Sequence, residues 1–218
     1  RLGEFLAGVL PEELSGSIST VPLSYREWMR EERDYRTAIE HLAACAAAFH
    51  ALRDRTGREI HLGLEPEPDC ALETTEDTVD FFERRLRPIG VAWLKDHSGC
   101  STREAEDILH RHIGVCLDTC HLSVQFERPA TSLATLVQHG IRISKVQISA
   151  ALRTRMGVDS ARRLSAFVDP VYLHQAKIMD AGGRKTRCPD MTREFLGGWT
   201  DAENGCECRI HFHVPLYL

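Results

Sequence analysis

Short apolar segments alternate with longer stretches of helical period, and this alternation constrains the fold more than any other feature of the chain. The strand-like segments are Gly16–Ser24, Glu59–Glu67, His112–Asp118, Ile141–Ser149 and Arg209–Tyr217. The clearest helix runs from Glu27 to Arg55, where Ile39, Leu42, Ala46, Phe49 and Leu52 recur at three- and four-residue spacing and Gly57 is placed to stop it. A second helix starts at Thr74, with Asp77 three residues on in the spacing of a capping box, and runs to Pro88. A third covers Arg103–Arg111, and a fourth follows Pro129 and ends at Gly140. Farther on, Ser160–Phe167 and Val171–Met179 read as helices, and paired glycines at 182–183 and 197–198 mark loops. Strands alternating with helices predict βαβ units and a parallel sheet.

Side-chain parity refines that expectation. Ile60, Leu62 and Leu64 share one face of their strand, while His61, Gly63 and Glu65 share the other. Ile113, Val115 and Leu117 oppose Gly114, Cys116 and Asp118, and Ile210, Phe212 and Val214 oppose His211 and His213. Lys145 and Gln147 lie opposite Ser144, Val146 and Ile148. Large apolar groups would pack under outer helices, and small or polar ones would face a shared interior. An open doubly wound sheet is more often apolar on both faces, and no glycine-rich phosphate loop follows any strand. The expected fold is therefore α/β, a (β/α)8 TIM barrel. A full barrel takes roughly 250 residues and eight strands, so 218 residues with five strands read as an incomplete one. The chain opens in a helix and stops on a strand, and so reads as one domain over 1–218, a fragment lacking the first strands and the last.

Composition bounds the function. The net charge of −5 and a pI near 6.1 leave no basic footprint for nucleic acid, and no apolar run approaches the roughly 20 residues that cross a bilayer. Eight cysteines in a chain of this length, with no signal peptide, read as free thiols in a reducing cytoplasm rather than as a disulfide framework.

The polar registers end in groups that bind metals. Glu65, Asp118, Gln147 and His213 each close a strand, Glu67 keeps the parity of Glu65, and His121 follows Asp118 by three residues. Carboxylates, an amide oxygen and imidazoles suit a divalent ion such as Zn, Mn, Mg or Co. Taken singly, each carboxylate is equally a partner for Lys or Arg, and a lone histidine a hydrogen-bonded core residue. Lys145 would stabilise an enolate or phosphate, or form an ion pair. His174 and Gln175 face the site from a helix, or pack.

Glu65 after an apolar strand, Cys-Leu-Asp118-Thr-Cys-His121 and Lys145-Val-Gln147 resemble the xylose isomerase-like barrels, which include sugar (phosphate) isomerases and epimerases. More closely, Gly16-Ser-Ile-Ser-Thr-Val-Pro-Leu23, Leu62-Gly-Leu-Glu-Pro-Glu-Pro68, Tyr172-Leu-His-Gln175 and His211-Phe-His-Val-Pro-Leu-Tyr217 resemble the EboE family of metabolite-traffic proteins. The resemblance implies a divalent metal held by Glu65, Asp118 and Gln147, with His121 on metal or substrate, and a further Glu on an eighth strand. It implies catalytic roles for Glu65, His121 and Lys145, and substrate contacts from Glu67, His174, His211 and His213. The implied function is processing or export of a small metabolite precursor from the cytoplasm, alongside other ebo-cluster proteins including a membrane component. The alternative is a metal-dependent isomerase or epimerase abstracting a proton next to a carbonyl of a sugar-like substrate.

Overall fold

A computed structural model describes residues 1–201 and 205–214, with side chains described through Phe212. In chain order the elements are α1 (Leu2–Val9), β1 (Gly16–Thr20), α2 (Glu32–Thr56), β2 (Ile60–Leu64), α3 (Thr75–Phe81), α4 (Arg87–Ser98), α5 (Thr102–His112), β3 (Ile113–Asp118), α6 (Thr119–Val124), α7 (Pro129–Gln138), β4 (Ile143–Gln147), β5 (Ala150–Arg155), α8 (Val158–Leu164), β6 (Ala176–Met179), β7 (Lys185–Cys188), α9 (Arg193–Gly197) and β8 (Glu207–Val214). They fall into two compact units, Arg1–Leu117 with Ala130–Gln147 and Asp118–Pro129 with Ile148–Leu218.

The first unit is a parallel half-barrel in the strand order β1-β2-β3-β4. Ile39, Leu42, Ala43, Ala46, Phe49 and Leu52 form the buried stripe of α2, and every residue of β2 is buried. Each fully buried aliphatic side chain contributes roughly 1.5–3 kcal/mol. The helix starts on a reciprocal cap between Glu31 and Asp34 and ends at Gly57, whose φ of 70° is the left-handed conformation that glycine accepts without strain. Thr74 and Asp77 form the second reciprocal cap. The helix that the sequence ends at Pro88 instead continues. Residues Phe82–Leu86 widen into a π turn, and Pro88 sits in the first turn of α4, where a missing N–H is tolerated.

The sheet curls enough for its two outer strands to meet, with Lys145 Nζ on β4 donating to Ser19 Oγ on β1 at 3.3 Å. That curvature is why β3 carries a glycine at 114. A Cβ there would lie 2.5 Å from both the Arg142 carbonyl oxygen and Ser144 Oγ. At the other end of the strands His112 is wholly buried, and its Nδ1 donates to the Ile60 carbonyl at 2.6 Å. Glu59 holds the neighbouring turn through Arg111 (3.0 Å) and Arg142 (2.8 Å).

The second unit overturns the expectation of a (β/α)8 barrel. After β4 the chain does not form a helix and return in parallel. Two residues later it enters β5, which belongs to an antiparallel sheet in the order β5-β8-β6-β7. The described part of the segment expected as a further parallel strand, Arg209–Tyr217, lies in β8 in the interior of this sheet, and residues 215–217 lie outside the described residues. Val171–Met179 is not a helix. Asp169 Oδ1 accepts from the backbone N–H groups of Val171 (2.7 Å) and Tyr172 (3.1 Å), and the chain then enters β6.

This sheet has two unlike faces. Leu152, Ile210, Ala176 and Cys188 form one rung across the four strands and, with Cys208, Met191, Leu196 and Trp199, build the apolar core. The adjacent rung, on the opposite face, is Arg153, Arg209, Lys177 and Arg187. Like charges directly opposite one another are unfavourable, and partners offset the cost. Glu207 accepts from Arg153 (2.6 Å) and Arg209 (2.7 Å). Burial alone would raise the Glu207 carboxyl, but these hydrogen bonds hold it below the ordinary carboxylate range.

Among the described residues no helix is long and apolar enough to cross a membrane. None of the eight cysteines is in a disulfide. Burial pushes the Cys70, Cys120 and Cys208 thiols up to about 12, so at neutral pH they are packing groups rather than nucleophiles.

Candidate metal centre

The residues singled out from the sequence fall into two sets, one in each unit. In the first unit, Glu65 follows β2 directly, and its N–H donates to the Thr20 carbonyl at 3.0 Å. Its Oε1 accepts from Gln147 Nε2 at the end of β4. Glu67 lies two residues farther on in a loop held by its N–H to the Leu72 carbonyl at 3.1 Å. Lys145 is directed to Ser19. The parity argument therefore brings Glu65 and Gln147 together as expected.

The second unit carries the more specific arrangement. Asp118 is the N-cap of α6, and its Oδ1 accepts from the backbone of Cys120 (2.6 Å) and His121 (3.3 Å) and from Ser149 Oγ (2.6 Å). This triple anchor fixes the carboxylate, which is only 3% exposed. It also explains the spacing Asp118-x-x-His121: a capping carboxylate and a residue in the first turn lie close together. A carboxylate oxygen of Asp118 and a ring nitrogen of His121 are within 4.8 Å of each other.

Across from α6, β8 presents His211. The Nε2 atoms of His121 and His211 are 3.1 Å apart, with the rings edge to face. Two nitrogens at this separation cannot both carry protons toward each other. They either share one proton or bind one ion. Nitrogen ligands of a single ion at about 2.0–2.1 Å lie roughly 2.8–3.4 Å apart for octahedral to tetrahedral angles. The observed separation falls in that range. On the far side of the His211 ring, Nδ1 lies 2.9 Å from Gln175 Oε1.

The position of α6 over β8 rests on two cations from the sheet. Arg209 Nη1 donates to the Ser123 carbonyl (2.8 Å) and Lys185 Nζ to the Gln125 carbonyl (2.7 Å), satisfying the open end of the helix. The helix closes in a Schellman motif, with Glu127 N–H to the Leu122 carbonyl and Phe126 N–H to the Ser123 carbonyl. Phe126 occupies the left-handed position, φ 61°, that glycine usually takes. The Arg209 guanidinium lies 4.1 Å from the centre of its ring, a contact that offsets the backbone cost.

His174, expected at the substrate, does not join this group. Its ring stacks on Phe212 (centroids 4.9 Å apart, 19° between planes), on the core side of β8 and opposite His211. The side chain of His213 lies outside the described residues. Ser149 is a site residue for which the sequence indicates no role, and Gln175, expected to face the site from a helix or to pack, instead reaches it from the residue before β6. The Gln175 signal was present in its adjacency to His174, but only the pairing of β6 with β8 reveals its neighbour. No family model matches the chain, and no curated protein or solved structure is significantly similar to it.

Proposed function

We propose that the chain binds a divalent metal and handles a small metabolite in the cytoplasm, in the manner of the EboE metabolite-traffic family that its motifs resemble. The observation that carries this reading is the His121–His211 pair, with its nitrogens 3.1 Å apart. Those two imidazoles would hold the ion, with the anchored Asp118 carboxylate beside His121. Such a donor set suits zinc or cobalt, and then manganese, better than magnesium, which prefers oxygen ligands and keeps its waters. When bound, the ion supplies Lewis acidity toward a carbonyl or hydroxyl oxygen of the ligand. The chain's own part is to fix α6, which carries His121: its first turn through the Asp118 carboxylate with Cys120, His121 and Ser149, and its far end through Arg209 and Lys185. Eight cysteines with none in a disulfide fit a reducing compartment. Other ebo-type proteins, one of them in the membrane, would receive the metabolite.

A second reading, proton abstraction beside a carbonyl, is favoured by Glu65, a carboxylate oriented by the Gln147 amide. Metal analysis and calorimetric titration of the purified protein with Zn²⁺, Co²⁺, Mn²⁺ and Mg²⁺ should return one ion per chain. His121→Ala and His211→Ala should each lower affinity by more than the roughly 10–100-fold typical of outer-shell changes. A protein that carries no divalent ion and takes none up refutes the reading. Metal-dependent turnover of sugar phosphates that disappears in Glu65→Gln would favour the second reading over the first.

A further inference from the structure

We infer that Gln175 is a positioning residue of the histidine pair and that it sets which nitrogen of His211 carries the ring proton. The inference rests on the metal-centre reading for its consequence but not for its test. A carboxamide oxygen can only accept, so Oε1 at 2.9 Å obliges Nδ1 of His211 to carry the ring proton. In the neutral ring this leaves Nε2 with its lone pair directed at His121. A metal ligand needs that same state, with one nitrogen open and the other donating to a fixed acceptor.

Gln175 is buried and fixed at its backbone. It is 8% exposed, and its carbonyl accepts from the His211 N–H at 2.7 Å, so the two residues are cross-strand neighbours by backbone as well as side chain. The residue before it is clamped as well. The His174 N–H donates to Asp190 Oδ1 at 3.0 Å, its carbonyl accepts from Met191 N–H at 2.9 Å, and its ring lies on Phe212. The acceptor is therefore preorganised, and the loss of its oxygen cannot be made good by a small movement of the chain.

The test compares the intact protein with Gln175→Met, which keeps the length and removes the acceptor, and with Gln175→Glu, which keeps an acceptor in the same place. Long-range ¹H–¹⁵N correlation of the histidine rings in metal-free protein reads the tautomer directly. His211 should be protonated at Nδ1 in the parent and in Gln175→Glu, and mixed in Gln175→Met. Cobalt affinity should fall about 10–100-fold in Gln175→Met, with an altered Co²⁺ absorption band, and be restored in Gln175→Glu while circular dichroism stays constant. An Nδ1-protonated His211 that persists in Gln175→Met overturns the inference, whatever the metal result. If the parent protein shows the Nδ1 tautomer but binds no cobalt, the metal reading fails and the positioning role stands. Should Gln175→Met not fold, Gln175→Glu and Gln175→Asn in the same tautomer measurement decide: retention in the first and loss in the second is expected, and loss in both overturns it.

Discussion

Acidification should destabilise the first unit through two buried imidazoles, His61 and His112. Both are pushed down from 6.5 to about 4 by burial, with Arg142 adding to the effect at His61. At His112 the hydrogen bond to the Ile60 carbonyl and the Glu59 charge work the other way without prevailing, while His50 and Arg111 lower it further. The Nε2 of His112 is buried without a hydrogen-bond partner among the described residues, so a second ring proton would have no acceptor there. Because the folded value lies below the unfolded one, the unfolded chain binds protons that the folded chain does not. Stability is then fully present above about pH 6.5 and is lost as the pH falls toward 4. Each histidine gives a slope of about 1.4 kcal/mol per pH unit inside that window, or roughly 3 kcal/mol across it. Against the typical 5–15 kcal/mol of a domain, two such groups are a large share. Urea melts followed by circular dichroism at pH 7.5, 6.5, 5.5 and 4.5 measure the slope. His112→Asn keeps a donor where Nδ1 stands and removes the titration, so it should halve the slope while changing stability at pH 7.5 by only about 1 kcal/mol. A flat profile between pH 6.5 and 4.5, or a full slope retained in His112→Asn, would show that these rings do not control acid stability.

Two further substitutions test the framework around the site. Gly114→Ala places a methyl 2.5 Å from a carbonyl oxygen and should cost about 1–3 kcal/mol or more. Gly99→Ala meets no neighbour and should cost only the roughly 1 kcal/mol of its left-handed backbone, so equal melting temperatures for the two would refute the close approach of β3 and β4. Arg209→Met removes the bond to the Ser123 carbonyl, the Glu207 pair and the charge over Phe126, and should cost about 1.5–3 kcal/mol. Amide exchange at Phe126 and Glu127 should accelerate in that variant, and unchanged protection would mean that the cation does not hold the end of α6.

The half-barrel was legible because its signals are local. A stripe of five apolar residues on α2, the Thr74–Asp77 cap and the alternation Ile60, Leu62, Leu64 each lie within one element. The same parity brought Glu65 and Gln147 to one place. The second unit was not legible, because its elements are specified by partners far away in sequence. Ala176–Met179 is too short to show a period of two, and Val171 to Leu173 supplied apolar residues that read as a helical continuation. Their strand character comes from pairing with Lys185–Cys188 on one side and Glu207–Cys208-Arg209-Ile210 on the other. Arg209–Tyr217 was recognised as a strand, but nothing in it distinguishes a parallel from an antiparallel neighbour. The histidine pair followed the same rule. His121 was found from its distance to Asp118, whereas its contact with His211 spans 90 residues.

The rung of cations across the second sheet also bears on how copies of the chain meet. The sheet ends in β5 and β7, and strands at such borders present unpaired N–H and C=O groups that invite another strand. Here each border is studded with exposed cations, Arg153 and Arg155 on one and Lys185 and Arg187 on the other. Any border-to-border approach, like with like or one with the other, sets positive charge against positive charge. This protection is electrostatic and therefore depends on the solvent. With a screening length of about 8 Å at physiological ionic strength and about 3 Å at 1 M, concentrated salt removes the repulsion and leaves the strand borders open to each other.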